Sequence, residues 1–114
     1  MFKKIAVIAL FAVVTASQAK DGPSFDCSKA SSDVERTICS NEQLAASDAS
    51  VAANYRQLLQ YRTGKDAKVF KDEQRAWLKR RNQCGTNVAC LSDAYDVRYS
   101  EMCTVTSGVS PCTN

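Results

Sequence analysis

Six cysteines, Cys27, Cys39, Cys84, Cys90, Cys103 and Cys112, fall within one chain of 114 residues, and none precedes position 27. An even number in so short a chain reads as a disulfide framework, provided the compartment oxidises thiols. Six cysteines allow about 15 pairings. The spacing favours local closure: Cys27 with Cys39, Cys84 with Cys90, and Cys103 with Cys112. Each bridge would contribute roughly 2–4 kcal/mol by restricting the unfolded chain, the shortest loop the least. Metal binding is the competing use of cysteine, but the chain has no C-x-x-C pair and no histidine. Three disulfides are expected, with no metal and no other cofactor.

The start of the chain supplies the oxidising compartment. Lys3 and Lys4 precede an unbroken apolar run from Ile5 to Val14, and Ser17-Gln18-Ala19 places small residues where a signal peptidase reads. The run is too short to span a bilayer comfortably and no stop-transfer pattern follows it. Residues 1–19 are therefore expected to be a cleaved signal peptide. The mature chain begins at Lys20 and has no membrane span. It would be periplasmic or secreted.

Composition narrows the chemistry further. Without histidine there is no Ser-His-Asp triad and no Cys-His pair, so carboxylates, Lys, Tyr and hydroxyls are what remain for catalysis. Removing Lys3 and Lys4 leaves thirteen basic against twelve acidic residues. That balance is too even for a nucleic-acid binder or a polybasic membrane patch.

Along the mature chain, residues 20–26 are a polar lead-in broken by Gly22-Pro23. Ser32-x-x-Glu35 has the form of a capping box and starts a short helix ending near Cys39. Asn41 caps a long helix reaching about Arg62, with Leu44, Val51, Tyr55, Leu58 and Leu59 at helical spacing. Thr63-Gly64-Lys65-Asp66 breaks it. A third helix spans about Ala67 to Asn82 and buries Phe70, Trp77 and Leu78. Asn87 caps a fourth, which presents Val88, Leu91, Tyr95, Tyr99 and Met102 on one side. No segment longer than four residues alternates strictly, so no strand is expected. The fold class is all-α: a small disulfide-stapled domain of about four helices, the two long ones antiparallel. Residues 27–102 form the helical domain and residues 103–114 a disulfide-closed tail.

Polar residues interrupt the apolar stripes at Asp48, Gln74, Arg81 and Arg98. Side chains of these types can satisfy one another's donors and acceptors, and left unpaired in a core they would cost several kcal/mol. One shared network fixing helix register is the expectation; a carboxylate–Arg active site is the alternative use. Two further stretches are candidate partner-binding surfaces. Lys79 and Arg80 lie off the stripe beside a turn containing Gly85, Thr86 and Asn87. Ser107, Gly108 and Ser110 lie in the hydroxyl-rich tail, which a bridge would hold at both ends.

Several residues now fall into one ordered pattern: Phe25-Asp26-Cys27, Glu35-x-x-Ile38-Cys39, Leu44-x-x-x-Asp48, Tyr55, Gln74-x-x-Trp77-Leu78-x-x-Arg81-x-x-Cys84, Cys90 and Tyr95-x-x-Arg98. Together they resemble the LprI-type lysozyme-inhibitor family, over about Phe25 to Met102. The resemblance implies a compact helical, disulfide-bonded, exported bacterial domain. Its partner would be a protein, a lysozyme-like glycoside hydrolase, which it would block in a stoichiometric complex without catalysis of its own. The Cys103–Cys112 tail lies beyond the pattern. The alternative is a periplasmic interaction or immunity-type module with a non-lysozyme partner. Near-neutral charge gives no long-range steering towards a strongly basic lysozyme, so shape would have to supply the affinity.

Overall fold

The computed structural model describes residues 22–104 and 110–112; the expected signal peptide, and Ser107 and Gly108 in the tail, lie outside them. After a 3-10 turn at Cys27–Lys29 come four α-helices: α1 (Asp33–Cys39), α2 (Glu42–Leu59), α3 (Gly64–Asn82) and α4 (Val88–Met102). No strand occurs among the described residues. The all-α expectation is met.

Local chemistry explains most of the boundaries. Ser32, Asn41 and Asn87 each adopt extended backbone, and their side chains accept from Glu35 N, Leu44 N and Cys90 N. Each thereby satisfies one of the amide donors that a helix start leaves free. The Ser32 hydroxyl also donates to the Glu35 carboxylate at 3.1 Å, so the two side chains of the expected box meet. The start of α3 differs from expectation by three residues. Thr63 stands at the N-cap position without a side-chain bond, and Gly64 enters the helix at φ +55°. A glycine tolerates that left-handed backbone, so Gly64 turns the chain and the helix begins at once. Likewise α2 stops at Leu59, and Gln60 to Arg62 continue as a turn.

Three bridges close Cys27–Cys39, Cys84–Cys90 and Cys103–Cys112, the nearest-neighbour pairing. The first ties the 3-10 turn to the end of α1, and the second ties the α3–α4 turn to the first turn of α4.

Helix α4 is the centre of the packing: it lies against both α2 and α3, whereas α2 and α3 touch little. The α2–α3 contacts run antiparallel, because Tyr55 stacks on Phe70 at one level and Asp48 meets Arg81 at the other. The core comprises Val34, Ile38, Leu44, Val51, Phe70, Trp77, Leu91, Tyr95 and Met102. Leu91 and Tyr95 of α4 are fully enclosed. Val88, expected on the same apolar side, is instead exposed at 44%. It is the first residue of α4. Trp77 is buried, with its indole N–H donating to the Ala94 carbonyl at 2.8 Å, and its ring meets Tyr95 edge-on. The aromatic pair therefore locks α3 to α4 by shape and by one directional bond.

Candidate functional site

All four polar residues singled out on the apolar stripes are buried. They form two separate clusters rather than one network. Gln74 and Arg81 lie seven positions apart on α3, about 10 Å along a helix axis, so partners reaching one are too far from the other.

The first cluster centres on Asp48. Its Oδ1 accepts from the Tyr95 hydroxyl at 2.8 Å and from Arg81 Nη1 at 3.5 Å. Its Oδ2 accepts from both the backbone N–H and the hydroxyl of Ser24, each at 2.6 Å. Arg81 also donates to the Tyr95 oxygen at 3.3 Å, and its Nε and Nη2 both reach Asn82 Oδ1. One carboxylate thus holds the lead-in, α2, α3 and α4 together. Burial, and next the negative charge of Asp48, push the Tyr95 phenol well above its usual range, so it stays a donor. Both Asp48 oxygens are committed inside the protein, which is the arrangement of a tether.

Gln74 and Arg98 form the second cluster. Arg98 Nε donates to Gln74 Oε1 at 2.9 Å and Nη1 to Glu101 at 3.2 Å. Arg98 Nη2 is buried and has no hydrogen-bond partner among the described residues. Arg98 also lines a cleft of about 460 Å³ between α3 and α4.

The candidate partner-binding residues gather at the opposite extreme of exposure. Lys79 and Arg80 are exposed in the last turn of α3, where positive charge complements the carbonyl end of the helix. Gly85 follows at φ +58°, with Thr86 and Asn87 exposed beyond it. The Cys84–Cys90 bridge encloses this turn. The Asn87 side chain is partly committed, since Oδ1 accepts from Cys90 N at 3.0 Å. Ser110 is exposed, and its hydroxyl accepts from Cys112 N at 3.2 Å.

Four participants are not singled out by the sequence: Ser24, Tyr95, Asn82 and Glu101. Tyr95 reads as an ordinary member of the α4 stripe, and its hydroxyl gains meaning only when α2 brings Asp48 to it. Ser24 sits in a segment without periodicity. Among the described residues there is no group of three or more acidic or cysteine side chains placed to hold a metal ion. Nor is any described helix long and apolar enough to cross a membrane.

Comparison with known proteins adds one finding. The family model described as Lysozyme inhibitor LprI matches residues 27–107, from the first cysteine through α4 and into the tail. No curated protein and no solved structure matches the chain.

Proposed function

The chain belongs to the LprI lysozyme-inhibitor family, and from that premise we propose that it is an exported protein that binds a lysozyme-type glycoside hydrolase and blocks it stoichiometrically. The observation that carries the proposal beyond membership is the Gln83–Asn87 turn. It is closed by the Cys84–Cys90 bridge and flanked by exposed Lys79 and Arg80. A covalently closed loop loses little conformational freedom on docking, so more of its contact energy becomes affinity. The flanking cations and the loop's amides suit a target whose cleft carries two carboxylates. The N-terminal segment with its lysines and apolar run supports export, as do three disulfides, which persist in oxidising compartments.

The test is lysis of a cell-wall substrate by c-, g- and i-type lysozymes, titrated with the mature oxidised protein. Inhibition saturating near one equivalent, and weakened by Arg80→Ala or Thr86→Ala, is the expected result. A folded sample that leaves every lysozyme type active would overturn the proposal and turn attention to a non-lysozyme partner.

A further inference from the structure

The cleft between α3 and α4 is lined by Arg62, Phe70, Glu73, Arg80, Arg98 and Glu101, among others. Arg98 is its least ordinary component. It is only 2% exposed, two of its nitrogens are paired with Gln74 and Glu101, and the third, Nη2, has no partner among the described residues. Buried guanidinium donors are normally satisfied, so the geometry is that of a site one acceptor short. A second guanidinium lines the same cleft: the Arg62 and Arg98 central carbons are 4.1 and 5.7 Å from the centroid of the Phe70 ring. Arg62 spends Nη1 on exposed Asp66, and Arg80 approaches Glu101 only to 3.9 Å.

We propose that this cleft is a binding site for a monocarboxylate with a short apolar body, its carboxylate received by Arg98 and Arg62. The lining carries three guanidiniums and two carboxylates, and Asp66 outside it pairs with one nitrogen of Arg62. A monoanion brings one charge to the guanidiniums, whereas a phosphate dianion would set two against Glu73 and Glu101. A planar carboxylate also matches the fork of donors on a guanidinium. The Phe70 ring, Ala76 and Met102 offer the body of the ligand an apolar wall. The proposal does not rest on lysozyme inhibition. The carboxylate could belong to a free small acid or to a peptide terminus.

The test uses the intact mature, disulfide-bonded protein with ¹⁵N-labelled arginine, following each Arg Nε–H by NMR. The probes are propionate, N-acetyl-Ala-Ala, the C-terminal amide of that dipeptide, and inorganic phosphate. Saturable shifts at Arg98 and Arg62 with propionate are expected, and none with the amide. Arg62→Gln, a partly exposed position that leaves the core intact, should weaken binding about tenfold. Tighter binding of N-acetyl-Ala-Ala than of propionate would mark a peptide terminus as the source, and the reverse order a free acid. Three results would each overturn the proposal: no saturable shift at Arg98, equal movement of the exposed Arg36 and Arg75 signals, or phosphate bound as tightly as propionate.

Discussion

Tyr95 of α4 and Asp48 of α2 lie 47 positions apart in the chain and meet in a buried hydrogen bond of 2.8 Å, with Arg81 of α3 against both. Removing the carboxylate leaves a guanidinium in the core without its counter-charge. Asp48→Ala should therefore cost about 3–5 kcal/mol. Tyr95→Phe, which deletes one hydroxyl and keeps the ring, should cost about 1–2 kcal/mol. Urea denaturation of the two variants checks the order; equal stability for Asp48→Ala and the parent would remove the tether.

Alkaline stability should report the same contact. Tyr95 is held protonated in the folded state well above the usual phenol value, while in the unfolded chain it ionises near its ordinary pKa of about 10. The folded state thus retains a proton that the unfolded state gives up. The contribution is whole below about pH 10 and is lost as pH rises from there. Melting temperature measured from pH 8 to 11 should fall more shallowly above pH 10 in Tyr95→Phe than in the parent.

The bridge around the candidate loop separates stability from binding. Cys84→Ser with Cys90→Ser opens a loop of separation 6 and should cost about 2 kcal/mol, less than opening Cys27–Cys39 with its separation of 12. At a temperature where both reduced-bridge variants remain folded, inhibition of lysozyme should fall in the first and persist in the second. Equal loss in both would place the contact surface elsewhere.

Asn87 has two assignments that substitution can divide. Its side chain caps α4, so Asn87→Ala should cost about 1 kcal/mol and Asn87→Asp almost nothing. A partner contact through the amide nitrogen would weaken inhibition in both variants. If inhibition tracks stability instead, Asn87 is a cap alone.

What the sequence revealed of this fold follows the range of the interactions concerned. Ser32, Asn41 and Asn87 mark helix starts because a cap is a bond to a residue three positions on, and its partners are adjacent in the text. The cysteines paired as their spacing indicated for the same reason of proximity. Thr63-Gly64-Lys65-Asp66 reads as a four-residue break, yet one left-handed residue suffices to turn the chain. The polar residues on the stripes could be recognised as inward-facing, but their partners depend on helix rise and on which helix sits between. Arg81 therefore went to Asp48 and Arg98 to Gln74. Ser24 carried no periodic signal, because its bonds to Asp48 exist only once α2 has been placed beside the lead-in.

The three disulfides all join each cysteine to the next in the chain. A polypeptide delivered through a translocon with its amino end leading would expose each thiol shortly before its proper mate. Oxidation in order of arrival then yields the native set, with no earlier bond to undo. Such a chain needs an oxidant but no catalyst of thiol reshuffling. It should reach its final connectivity even in a host whose isomerase has been deleted.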